Sequence, residues 1–357
     1  MVDRCTDLNS RRTFLAQSTA VVGGAALELV LANRCSAQPS APRDHYANLR
    51  SDDYLGPVEV VAEIDDKKVF LEGPAVDKRG RVYFTNTEAA KILLWDPDAK
   101  RLNTYRENSN QANGLFFDLQ GRLFACEGGA KRVTRTDMST GEIVVLADSF
   151  RGFPLAAPND LFVDAKGRVY FTSRPGVDDP TKGNVNAVYR LTPTENDKYE
   201  IEQLLAWPTV HMPNGLLMTR DQRTLYVIES HPETDRHRDI RAYDVDQDGR
   251  LSNGRVLIDF YPGRSGDGMC IDENDYLYVA AGLHKTRGTS ETLDTRPGIH
   301  VISPEGRVVA FRETPEDTIT NCSFGGPDLK TLYVTCGRKL LSIRTKQPGS
   351  PVYRPKN

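Results

Sequence analysis

The 357-residue chain has no surplus of basic charge: 46 lysines and arginines face 49 aspartates and glutamates, and the formal net charge is −3. That balance lacks the electrostatic footprint by which proteins hold nucleic acid, so no nucleic-acid partner is expected. Past the N-terminal leader, no stretch reaches the ~18 consecutive apolar residues of a membrane-spanning helix, and the mature chain is expected to carry no membrane span. No long segment there repeats its apolar residues at the 3.6-residue period, which excludes a helical fold. No G-x-S-x-G, H-E-x-x-H or G-x-G-x-x-G stands in a fitting context, so serine-hydrolase, zinc-protease and nucleotide-binding readings fall away. Cysteine is sparse. Cys5 and Cys35 lie in the leader, and Cys126, Cys270, Cys322 and Cys336 show neither a C-x-x-C pair nor a metal-ligand spacing. Buried free thiols are the expectation, with a Cys322–Cys336 disulfide as the alternative if Pro327-Asp328 turns a hairpin.

What is present begins with that leader. Ser10-Arg11-Arg12-Thr13-Phe14-Leu15 resembles the twin-arginine export motif, and a mildly apolar run from Ala16 to Ala32 follows it, broken by Glu28. Cys35-Ser36-Ala37 offers the small residues of a cleavage site. Residues 1–37 are therefore expected to be a signal peptide read by the export machinery, which places the mature chain in the periplasm or outside the cell. An uncleaved anchor helix is the alternative, and Glu28 argues against burying it in lipid. Residues 38–57 read as a linker, 58–345 as one folded unit and 346–357 as a C-terminal tail.

Within that unit one pattern recurs six times: a polar or small opening, an apolar stretch, an Asp/Gly turn and a β-rich run. Glu72-Gly73-Pro74-Ala75-Val76-Asp77 with Gly80-Arg81-Val82-Tyr83-Phe84-Thr85 is one copy, and Asn159-Asp160-Leu161-Phe162-Val163-Asp164 with Gly167-Arg168-Val169-Tyr170-Phe171-Thr172 another. The openings fall at 72, 113, 159, 214, 267 and 321, and a second hairpin such as 93–96 with 102–105 fits into each interval. Four short strands per interval make a propeller blade, so the expected fold is all-β, a six-bladed β-propeller. After the sixth opening only the strand 340–344 remains; Val58–Ile64 is expected to complete that blade and close the ring. A sandwich or an open solenoid is the rival architecture. A closed ring needs no partner, and a monomer is the expected state.

In a propeller the innermost strands all begin beside the axis on one face, so the six openings converge there. They are Glu72, Asn113, Asn159, Asn214, Asp267 and Asn321. All six side chains offer oxygen, and none is His or Cys. Oxygen-only ligation suits a hard divalent cation, Ca²⁺ first, with Mg²⁺, Mn²⁺ or Zn²⁺ as alternatives. Asn and Asp also cap turns at strand starts without any ligand, which accounts for Asn113-Gly114 and Asn214-Gly215 but poorly for Glu72-Gly73-Pro74. Asp244-Val245-Asp246-Gln247-Asp248-Gly249 imitates the opening of a calcium loop, but its twelfth position is Arg255 and no helices flank it; it reads as a hairpin turn.

These openings resemble those of the senescence marker protein/gluconolactonase/luciferin-regenerating enzyme family (regucalcin-like). The stretches that carry the resemblance are Glu72-Gly73-Pro74, Pro158-Asn159-Asp160, Asn214-Gly215-Leu216, Asp267-Gly268-Met269-Cys270-Ile271-Asp272 and Cys322-Ser323-Phe324-Gly325-Gly326 with Tyr333-Val334-Thr335-Cys336. Cys126-Glu127-Gly128-Gly129-Ala130-Lys131-Arg132 looks more like the bacterial gluconolactonases than the animal protein. The resemblance implies that Glu72, Asn214 and Asp267 ligate one divalent metal, that Asp267 is also the general acid/base, and that Asn159 meets substrate or metal from the same ring; Asn113 joins Asn159 on the substrate side. It implies a metal-dependent lactonase, a gluconolactonase-like hydrolase of sugar lactones. An arylesterase or phosphotriesterase on the same scaffold, and a non-catalytic secreted binding propeller with a structural ion, remain the alternatives. There is one departure. The animal protein has an Arg two residues before its counterpart of Asn159, where this chain has Ala157, so the resemblance does not fix the substrate.

Overall fold

Short apolar runs cut by Asp-x-x-Gly-Arg turns can bury both faces only if sheets stack face to face, and that is how they fold. The computed structural model describes residues 46, 48–179, 181 and 184–350; the leader, residues 1–37, lies outside the described residues. Six four-stranded antiparallel sheets form the blades. Blade 1 runs Leu71–Val76, Val82–Asn86, Lys91–Asp96 and Arg101–Arg106 from the axis outward. The second strands of blades 1, 2 and 3 (Val82–Asn86, Leu123–Glu127, Val169–Ser173) are buried at every position. The repeated turn has a physical basis. Asp77 Oδ1 accepts the backbone N–H groups of Arg79 and Arg81, both at 2.9 Å, while Asp77 Oδ2 accepts Arg81 Nε at 2.8 Å. Asp118 with Arg122 and Asp164 with Arg168 repeat this bridge, and Gly80, Gly121 and Gly167 supply the positive φ that closes each turn.

The ring closes as expected. Leu55–Glu63 lies antiparallel to Lys339–Thr345 in the sixth blade, with Val58 opposite Ile343 and Val60 opposite Leu341. The strand begins at Leu55, inside the span read as linker. Within that span a short 3-10 turn, Ser51–Asp53, precedes the strand, and the Tyr46 hydroxyl sits 2.8 Å from His300 Nε2. The span read as tail also packs on the ring: Gly349 N donates to Leu329 O at 2.8 Å and Ser350 N to Ile271 O at 3.0 Å. The Asp244–Gly249 segment is a hairpin turn between Asp239–Val245 and Leu251–Asp259.

The disulfide alternative is corrected. Ile319–Gly325 and Thr331–Cys336 do form a hairpin, but the register sets Cys322 opposite Val334 and Cys336 opposite Ile319. Cys126, Cys270, Cys322 and Cys336 are all free thiols. Cys322 Sγ instead lies 3.5 Å from Cys270 Sγ, across the boundary between blades 5 and 6.

One irregularity recurs in all six innermost strands. The pairing slips between Glu72 and Ala75, Ala112 and Leu115, Pro158 and Leu161, Pro213 and Leu216, Gly266 and Met269, and Ile319 and Asn321. A bulge re-aims a side chain by breaking the two-residue alternation. Here each bulge sits at, or beside, the opening residue of its repeat.

Candidate functional site

Those bulges gather the opening residues at one end of the axial channel. Glu72, Asn159, Asn214, Asp267 and Asn321 are buried, and Asn113 is half-buried. Small residues let the strands meet: a Cβ on Gly114 would come within 2.8 Å of Asp160 Cα, and one on Gly215 within 2.7 Å of Asp267 O. Asn214 Nδ2 donates to Asp267 Oδ1 at 2.6 Å and to Ser230 Oγ at 3.2 Å. The other oxygen of Asp267 accepts Arg264 Nη2 at 2.5 Å. Glu72 faces Asp267 and Asp160, and burial, reinforced by repulsion from both, pushes its carboxyl well above the usual range.

The ring divides in two. Asn321 does not join the Glu72–Asp267 pair; its Nδ2 reaches across the axis to Asp160 Oδ2 at 3.0 Å, linking blade 6 to blade 3. The side chain of Asn113 hydrogen-bonds to no other member of the ring, and its backbone oxygen accepts Thr85 Oγ1 at 3.0 Å. Asn159 Oδ1 is buried with no hydrogen-bond partner. Glu72 accepts one weak bond, from Gly73 N to Oε2 at 3.3 Å, and among the described residues no donor reaches Oε1. Among the described residues no three His, Cys, Asp or Glu side chains converge as a metal site. The oxygens at the axis come from the Glu72 and Asp267 carboxylates, the Asp160 carboxylate that Asn321 holds, and the carboxamides between them.

Sequence reasoning missed three groups. Asp160 follows an opening Asn where blades 1, 2, 4 and 5 have glycine (Gly73, Gly114, Gly215, Gly268), and that break in the repeat was the available signal. Burial pushes its carboxyl up to about 6. Arg264 had no signal beyond standing three residues before Asp267; besides that carboxylate it reaches the backbone oxygens of Gly282 and Ile319, both at 3.3 Å. Arg174, just past the second strand of blade 3, carried no signal in the repeat; its charge faces Asp267 and Glu72, and burial lowers its pKa against their pull.

The histidines shape the wall. His211 stacks on His237 with ring centroids 3.7 Å apart and meets His231 edge-on at 6.5 Å. Burial first, then the neighbouring charge of His237, pulls His211 down to about 4. His284 Nε2 is 2.8 Å from Thr314 O, and among the described residues His231 and His284 share no hydrogen bond or ring contact. Arg238, fully buried, clamps these loops through the carbonyls of His231, Pro232, Glu233 and Pro262 at 2.7 to 3.0 Å.

A cavity of about 820 Å³ opens from the opposite end of the channel, between the Asp77–Gly80 and Gly326–Leu329 turns. Its walls mix apolar side chains, among them Leu115, Phe117, Leu217 and Met269, with polar ones, Asp160 and Asn321 included. The cross-axis pair thus stands between this cavity and the carboxylates.

A six-bladed ring with acidic and amide side chains bulged onto its axis defines an axial-site propeller. The chain belongs to the SMP-30/gluconolactonase/LRE-like family, whose model matches residues 70–338. It is 27% identical to a gluconolactonase of Zymomonas mobilis over 83% of each chain. Its fold matches a solved Xanthomonas campestris structure, described as a gluconolactonase, with a TM-score of 0.65 at 24% identity, covering 87% of this chain and 99% of that one. It also matches an Agrobacterium tumefaciens structure described as a calcium-binding protein, regucalcin, with a TM-score of 0.64 at 17% identity, covering 84% and 98%.

Proposed function

We propose that this chain is a metal-dependent lactonase that hydrolyses a sugar lactone, with Glu72, Asn214 and Asp267 holding one divalent cation, calcium first. The observation that carries the reading is the set of axial oxygens: two mutually repelling carboxylates, Glu72 and Asp267, beside the unpartnered Asn159 Oδ1. Such a set fits a hard cation, which removes the repulsion and takes carboxamide oxygens without further charge. The activity named for the Zymomonas relative and the calcium named for the Agrobacterium structure point the same way. A bound cation supplies Lewis-acid polarisation of the lactone carbonyl.

The chain's own groups do the rest. Asp267 takes a proton from the attacking water and returns it to the ring oxygen as the carbonyl carbon–oxygen bond breaks. Arg264 and Asn214 fix both of its oxygens, so one orientation is available for that transfer. Ligation weakens a carboxylate as a base, but a lactone is an activated ester and asks little of it. Asn159 and Asn113 stand where the sugar hydroxyls enter.

Activity on glucono-δ-lactone in a pH-stat should fall at least about 100-fold on chelation and return with calcium, the several kcal/mol of charge stabilisation that a cation gives. Metal-dependent cleavage of aryl esters or phosphotriesters but not lactones would move the reading to the second enzyme class. A stable metal-free fold without hydrolysis of any ester would make the ring a binding site.

The leader is carried forward as a second part of this reading. Exchanging Arg11 and Arg12 for lysines should strand the precursor in the cytoplasm, measured by fractionation and blotting; an unchanged periplasmic yield would rule out the twin-arginine route.

A further inference from the structure

Three guanidiniums face the two axial carboxylates, and they differ in what they hold. Arg264 is fully engaged by Asp267 and two backbone carbonyls. Arg174 is not. It directly follows the second strand of blade 3, where its backbone N–H donates to Ala157 O at 2.9 Å, so it stands across the hairpin from the approach to Asn159. Its guanidinium donates to no described oxygen: Nη2 lies 3.3 Å from Met212 Sδ, and Nε is buried without a partner. A thioether is a weak acceptor. An arginine keeps its charge wherever it is placed, and a half-buried guanidinium without an oxygen acceptor is costly.

The surrounding acids do not relieve it. Glu229 turns its Oε2 to the backbone N–H groups of His211 and Met212 at 3.0 and 2.9 Å. Asp317 is held by the backbone of His284 and Lys285 at 3.0 and 3.1 Å. Arg287 adds a further positive charge at the exposed rim, with Nη2 on Thr318 Oγ1 at 3.1 Å and no ion pair among the described residues. Once Glu72 and Asp267 serve a cation, the Arg174 guanidinium has no carboxylate hydrogen-bonded to it among the described residues.

We propose that Arg174 receives a carboxylate carried by the substrate itself, so that the lactone is an acidic one, a sugar-acid ring with a second, free carboxylate. This rests on the lactonase reading and narrows its substrate class. The planar guanidinium fork matches a carboxylate edge to edge. A single such fork beside Asn159 suits one flat anion. A phosphate would call for a second guanidinium at the same depth, and Arg287 is held at the rim.

The test compares glucaro-1,4-lactone with glucono-δ-lactone in the calcium-loaded protein and in Arg174→Gln and Arg174→Lys. The acidic lactone should have the higher kcat/KM by at least about tenfold, as a charge-assisted hydrogen bond allows. Arg174→Gln should raise its KM about 10- to 100-fold, with a much smaller change in kcat. Arg174→Lys, which keeps the charge but loses the fork, should fall between. A binding arm separates the two readings. Calorimetric titration with tetrahydrofuran-2-carboxylate and with tetrahydrofurfuryl alcohol needs no turnover, and it is run on metal-free and calcium-loaded protein. A carboxylate preference in both forms that Arg174→Gln removes would support the assignment even if neither lactone were hydrolysed. If Arg174→Gln left the preference intact, if it appeared only with calcium, or if a phosphorylated lactone were preferred, the assignment would be overturned.

Discussion

Asp267→Asn should lower kcat on a lactone by about 10³-fold or more while the protein stays folded, because in the mechanism proposed above the change removes a proton acceptor and a cation ligand at once. The fold tolerates it for a local reason. An asparagine oxygen can still accept Arg264 Nη2, its amide nitrogen can donate to Asn214 Oδ1 once that amide turns over, and the loss of one charge relieves the repulsion that now weighs on Glu72. Breaking a buried ion pair usually costs several kcal/mol; here the retained hydrogen bond and the relieved repulsion offset most of it, and melting should move by only a few degrees. Steady-state kinetics with calorimetry of calcium binding check both halves. Near-normal turnover with weakened calcium binding would assign Asp267 to the ion alone and remove its role in proton transfer.

The second large effect is on stability. Gly73→Ala should destabilise the ring by about 3 kcal/mol or more, read from denaturant unfolding. Gly73 has a φ of 47°, where an L-residue pays about 1–2 kcal/mol. The new Cβ would also stand 2.7 Å from Gly114 Cα and 2.9 Å from Leu115 N, and closer still to Asn113 O. All three are backbone atoms of the next blade's innermost strand, so no rotamer can yield, and overpacking adds about 1–3 kcal/mol. Gly141→Ala is the control: its φ is 79°, but a Cβ there meets nothing within 4 Å. Equal losses in the two variants would show that φ alone sets the cost and that the blades are not in tight contact at the axis.

The ring was legible because its signals are local. Asp77, Asp118 and Asp164 bond the arginine four residues on, so the same turn writes the same letters each time. The convergence of the openings followed from the fold. What happened at the axis did not. Whether Asn321 turns toward Glu72 or across to Asp160 depends on which blades oppose each other and on how each bulge rotates its residue. A one-dimensional repeat carries no such information. Arg174 was opaque for the same reason, since the carboxylates its charge faces come from other blades, and Arg264 because a pair three residues apart forms only once the bulge turns Asp267 back toward it. The cysteine pairing turned on register: hairpin geometry was expected, but the pairing sets Cys322 opposite Val334, two positions short of Cys336.

The joining of Leu55–Glu63 to Lys339–Thr345 has a consequence for how the molecule comes into being. The first strand to leave the ribosome has no partner until nearly the last one is made. Blades 1 to 5 can each form their hairpins during synthesis, yet the circle stays open, with one unpaired edge, until translation is almost finished. Maturation therefore has a single late locking event, and a chain that loses either end should behave as an unlatched clasp whose arms still pair locally.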